Sequence, residues 1–190
     1  MEDLAEVMNR KAFSILVTVF ILLQSPVFAQ DARLTNINVS NTRDDLLIYI
    51  TLAGAFRDKL EKAILSGVPA TFSFDISLYR VRNIWFDKKV TNIKITHRIK
   101  YDNLKKEFNI KRSWKSNNPV ITQSFDEAQK LMTKIESLKI YPLRGLKKGR
   151  QYQIRAKAEV SKLTLPFYLH YFLFSLWDFE TDWYTIDFIF

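Results

Sequence analysis

"ATFSFDISLYRVR", residues 70–82, alternates without a break. Phe72, Phe74, Ile76 and Leu78 fall on one side of an extended chain; Thr71, Ser73, Asp75 and Ser77 fall on the other. Period two is the spacing of a β-strand. One apolar face and one wet face point to an antiparallel sheet packed on a single side, not to a parallel sheet covered on both. Residues 90–101 repeat the pattern, with Ile93, Ile95, His97, Ile99 and Tyr101 inward. "YDNLKK" turns the chain, and residues 106–114 return with Phe108, Ile110, Arg112 and Trp114 on one face. So short a polar turn predicts an antiparallel hairpin.

Working outward, residues 33–40 and 45–53 read as strands, with Leu34, Ile37 and Val39 apolar in the first and a nearly continuous Leu46–Ile50 run in the second. Residues 55–66 switch to helical spacing: Phe56, Leu60, Ala63 and Ile64 share a face, and Gly67 stops the helix. Ser124-Phe-Asp-Glu127 is a capping-box signature. It predicts a helix over 125–136, with Phe125, Ala128, Leu131, Met132 and Ile135 on one side. "LRGLKKGR", residues 143–150, is a basic loop. Residues 151–163 alternate again, with Tyr152, Ile154, Ala156, Ala158 and Val160 inward, and a last strand runs from Asp182 to Phe190. The expectation is a mainly β protein with two helices, of α+β class: an antiparallel β-sandwich or half-barrel after an N-terminal signal helix.

The composition is that of a folded chain: of 190 residues, 47% are hydrophobic and 14% aromatic, and there are only four Gly. The absence of cysteine excludes thiol catalysis, Cys-based zinc sites and thiolate-held clusters. It does not discriminate between a reducing and an oxidising compartment. The net charge is +9. Residues 1–29 hold three acidic and two basic side chains, so a chain starting at Gln30 carries +10 and is suited to anionic surfaces.

That leader decides the compartment. From Ala12 to Leu23 no residue is charged, Arg10 and Lys11 precede the run, and Pro26 breaks it. Val27 and Ala29 stand where a signal peptidase reads small residues, giving cleavage between Ala29 and Gln30. The apolar run fits a secretory h-region of roughly 7–15 residues better than a span of about 20. The reading is a signal peptide over 1–29 and one β-rich envelope domain over 30–190. An uncleaved membrane anchor is the alternative. A core helix is disfavoured, because the run has no polar face.

"LSGVPATFSFDISLYRVRNIWFDKKV", residues 65–90, carries Gly67-Val68-Pro69 before the strand, then Arg80, Arg82, Trp85 and Asp87. Leu165-Pro166 and a terminal strand containing Trp183 follow. In this order and spacing the chain, from about Leu34 to its end, resembles the domain-of-unknown-function family 4390 of exported Gram-negative proteins. The resemblance implies an envelope location and, in some genomes, a neighbouring gene for a nitrogen-regulation-type sensor kinase. It implies no activity and no functional residues.

The residues themselves predict no catalytic, cofactor or metal site. His97 and His170 stand in no His-x-x-x-His or Glu-x-x-His pair, and His97 reads as a hydrogen-bonded core or rim residue. Asp178, Glu180 and Asp182 could share one side of an extended segment and hold calcium, but no calcium-loop pattern surrounds them, so a solvated edge with Phe179 inward is preferred. Lys94, Arg98 and Lys100 share the outward face of one strand, with Lys105 and Lys111 expected beside them on the next: a candidate anionic-partner face, or a plain wet face. Nucleic acid is disfavoured, because that face lacks interleaved aromatics. "LTLPFYLHYFLFSLW", residues 163–177, has fifteen uncharged residues and reads as core or as an interfacial surface. The expected function is a non-enzymatic, exported periplasmic or envelope accessory module without cofactors. Its expected partner is an envelope or inner-membrane protein such as a sensor kinase. The alternative is a peripheral protein contacting anionic lipid through residues 163–177 and the basic face.

Overall fold

The structure is a computed structural model that describes residues 32–115, 118–161 and 179–190. The leader with its Ala29–Gln30 junction, residues 163–177, His170 and Asp178 lie outside the described residues.

Among the described residues, nine strands and two helices follow in the order β1 (Arg33–Asn41), β2 (Asp45–Ala53), α1 (Asp58–Leu65), β3 (Ala70–Arg80), β4 (Lys88–Asp102), β5 (Glu107–Arg112), β6 (Val120–Thr122), α2 (Phe125–Thr133), β7 (Lys134–Pro142), β8 (Gln151–Ser161) and β9 (Tyr184–Ile189). They build two antiparallel sheets. The smaller has the order β1-β2-β7 and the larger β6-β5-β4-β3-β8-β9. The sheets are not closed into a barrel. They enclose one apolar core: Ile48, Ile50 and Leu52 of β2 join Phe72, Phe74, Ile76 and Leu78 of β3 in a single buried cluster. Both helices pack on the β4 side of the large sheet, while β1 faces β8 and β7 faces β4. This is the expected mainly β, α+β architecture with two helices, a sandwich or half-barrel.

The opening stretch is the centre of it. β3 pairs with β4 on one side and β8 on the other, each without parallel partners. Its apolar side chains are fully buried, as alternation requires. The expected wet face is drier than predicted, however: Ser73 and Ser77 are buried too. A central strand is flanked on both edges: the Lys94–Glu159 pair spans β3, and the Asn92 amide donates to the Ser77 hydroxyl at 2.7 Å.

Other boundaries shift. The first helix begins at Asp58, not at residue 55, and Phe56 packs on the core from the preceding loop. The second ends at Thr133, so Lys134–Glu136, expected to be helical, open strand β7. Gly67 stops α1 as predicted: its φ of +87° is the left-handed value that closes a helix, and a Cβ there would come within 2.9 Å of the Asn103 amide.

Candidate interaction surfaces

His97 occupies an inward position of β4 and is fully buried. Trp114 Nε1–H donates to its Nε2 at 2.8 Å, which leaves the proton on Nδ1 to donate to the Met132 carbonyl at 2.8 Å. Burial is the main cause that lowers its pKa to about 4; the Met132 bond opposes this and Arg112 adds to it. The neutral ring therefore ties β4, the end of α2 and the turn after β5 together. It is a core residue, as the sequence suggested.

The outer face of the large sheet carries the candidate basic residues, and the register sorts them. Lys94 reaches across β3 to Glu159 of β8 at 3.1 Å. Lys105 lies in the turn after β4, not on β5, and stands 3.9 Å from Glu107. Asp102 shapes that turn by accepting from the Lys105 and Leu104 amides, and these bonds, the Lys105 one most, hold its carboxyl below the usual range. Arg98 and Lys111 are direct cross-strand partners, with Lys100 opposite Asn109. Arg98, Lys100 and Lys111 form no ion pair among the described residues.

The opposite half of the face is balanced. Lys157 is paired with Glu180, and its ammonium lies over the Trp183 ring. Arg155 donates to Asp87 at 2.8 Å and lies over the Tyr79 ring at 4.3 Å. Glu180 is thus held by a cation, and Phe179 is buried edge-on against Phe72. The described residues gather no group of three metal-ligating side chains.

The β3–β4 loop adds a surface beyond the sequence expectations, which name only Trp85 and Asp87 within it. Between β3 and β4, Ile84, Trp85 and Phe86 are 94%, 73% and 88% exposed. The loop is clamped at its base, where the Val81 amide bonds the Gln151 carbonyl and Asp87 meets Arg155, while its tip projects. The sequence signal was available: three large apolar residues in a row break the alternation between Arg80-Val-Arg82 and Lys88-Lys89.

A family model described as a domain of unknown function (DUF4390) matches residues 29–187. The chain belongs to the DUF4390 family. No curated protein and no solved structure matches it. Within this DUF4390 chain the motif residues have separate physical places. Gly67 closes α1, Arg80 ends β3, Trp85 stands at the exposed loop tip, and Asp87 anchors the loop to Arg155. Among the described residues, no helix is long and apolar enough to cross a membrane.

Proposed function

We propose that the chain is a non-enzymatic binding module of the cell envelope, exported by its leader, which docks on an inner-membrane protein such as a sensor kinase. The observation that carries this reading is the β9 edge. β9 pairs with β8 on one side, and no described strand pairs with the other. Tyr184 and Ile189 are exposed along it, and Trp183 is exposed just before it. An open edge offers unpaired backbone donors and acceptors, and a partner strand can complete them while its side chains read the exposed aromatics. The outer-face carboxylates Glu159, Glu180 and Asp87 each sit on a cation, which supports a structural use for them.

The test is site-specific photocrosslinking in intact cells from Thr185. We expect a crosslink to an inner-membrane protein whose yield falls about tenfold when Tyr184→Lys and Ile189→Lys block the edge. A crosslink that survives both lysines, or an uncleaved chain found in the cytosol, overturns the reading.

A second reading, peripheral contact with anionic lipid, is favoured by the unneutralised Arg98, Lys100 and Lys111. Its other element, residues 163–177, would supply the apolar contact.

A further inference from the structure

The end of the large sheet where β3 leaves and β8 enters collects an unusual set of side chains. Ile84, Trp85 and Phe86 project from the β3–β4 loop, almost fully in water. Arg80, Arg82, Lys88 and Lys89 flank them within the same loop and its two strand ends. The neighbouring turn adds Lys147, Lys148 and Arg150, all exposed. Its place beside the loop is fixed by the Val81 amide on the Gln151 carbonyl and by the pairing of Arg80 with Tyr152. The C-terminal strand ends here as well: the Phe190 amide bonds the Arg150 carbonyl, and Ile189 is exposed. The loop's own carboxylate, Asp87, is already held by Arg155 at 2.8 Å.

Three consecutive large apolar side chains in water are costly unless something covers them. Lone exposed hydrophobics need no explanation, but these form one protruding knob. The charge around the knob identifies the cover. It is strongly net basic, with the loop's own carboxylate Asp87 already paired, and a bilayer with anionic head groups matches it. Such a bilayer attracts Lys and Arg at the surface, takes Trp at the head-group level and buries Phe and Ile just below.

We propose that the Ile84-Trp85-Phe86 loop is a membrane-insertion tip, held against anionic lipid by the basic side chains around it. The proposal shares its ligand class with the second reading above but rests on different residues. β4 has 15 residues, so the turn bearing Leu104 lies at the far end of a strand about 50 Å long. The molecule would therefore stand on the bilayer by one pole, with the Tyr184 end of the β9 edge, which lies away from that pole, and the outer face of the sheet left open to a protein.

The chain has no cysteine, so single cysteines report single positions. The full-length protein would carry Phe86→Cys or, as a control, Leu104→Cys, each labelled with a polarity-sensitive dye. Each would be mixed with vesicles of phosphatidylcholine with or without phosphatidylglycerol. We expect a blue shift from the dye at position 86 on anionic vesicles only, and none from position 104. Arg82→Glu with Lys88→Glu should weaken this insertion at least about tenfold, since each basic side chain near an anionic surface contributes about 1 kcal/mol. All four sites are exposed, and an unchanged melting curve confirms that each variant is folded. Equal insertion into neutral vesicles overturns the proposal. So does a chain that floats with vesicles while the dye at 86 stays in water, which instead places contact on the sheet face or elsewhere. Neither result touches the β9 crosslink, so the two readings fail separately.

Discussion

His97 shows how one residue can couple pH to stability without serving catalysis. Its ordinary value of 6.5 falls to about 4 in the fold, chiefly because the charged ring would lose its water. The unfolded chain therefore binds the proton first. The stability His97 contributes is complete above about pH 6.5, is lost as the pH falls towards 4, and loses nothing further below that. The shift corresponds to about 3 kcal/mol. Urea unfolding between pH 7 and 4 should show a loss of that order. His97→Gln tests the assignment, because glutamine can donate to the Met132 carbonyl and accept from Trp114 yet does not titrate. The variant should lose the part of the slope that belongs to this ring. A slope unchanged by the substitution would place the acid sensitivity elsewhere.

At the scale of elements, the start of α2 follows its sequence signature by an altered route. Ser124 accepts from the Glu127 amide at 3.3 Å, as the capping box predicts. The reciprocal half runs through Thr122: its hydroxyl donates to Glu127 at 2.5 Å and accepts from the Ser124 amide at 3.1 Å. Strand β6 is only three residues long, and this relay ties it to the helix. Thr122→Val keeps the shape and removes both bonds, so it should cost about 1–2 kcal/mol by denaturant midpoint, comparable to Ser124→Ala. A loss in Ser124→Ala alone would show that Thr122 is passive. Strand type, the β4–β5 hairpin and the cap were legible because each depends on neighbours in sequence. The seventh strand was not. Ile135, Leu138 and Ile140 are buried at spacings of three and two, which begins like a helix. A backbone irregularity explains it: Ser137 has φ +60°, and the pairing of β7 with β2 shifts register there. The extra residue moves the next inward side chain one position along. Ser137 then donates to the Tyr49 hydroxyl at 3.0 Å, a contact from 88 residues away that no local pattern announces. β1 repeats the device at Asn36, φ +48°, between Leu34 and Ile37, yet its β-branched residues kept the reading correct. The candidate surface was half legible for the same reason. Facing positions follow from alternation, whereas the pairing of Lys94 with Glu159 needs the strand order.

At the scale of the whole molecule, charge is distributed unevenly over a charge-rich sheet. The β8 half of the outer face binds its cations to carboxylates, while the β4–β5 half places Arg98 directly against Lys111. Like charges in opposed positions destabilise a sheet by a few tenths of a kcal/mol. A face selected for solubility alone gains nothing from that arrangement, because one acidic residue would relieve it. Lys111→Glu makes that change on an exposed side chain. The midpoint of urea unfolding should rise by an amount equivalent to about 0.5 kcal/mol, with an unchanged slope, and the gain should shrink in 1 M salt. The same variant tests where lipid is met. If the loop tip carries the contact, Lys111→Glu floats with anionic vesicles as the parent chain does. If the sheet face carries it, flotation falls even though the fold is firmer. A variant that is no more stable at low salt would show that water already screens the Arg98–Lys111 pair, and the uncompensated charge on this face would then lose its standing as a sign of function.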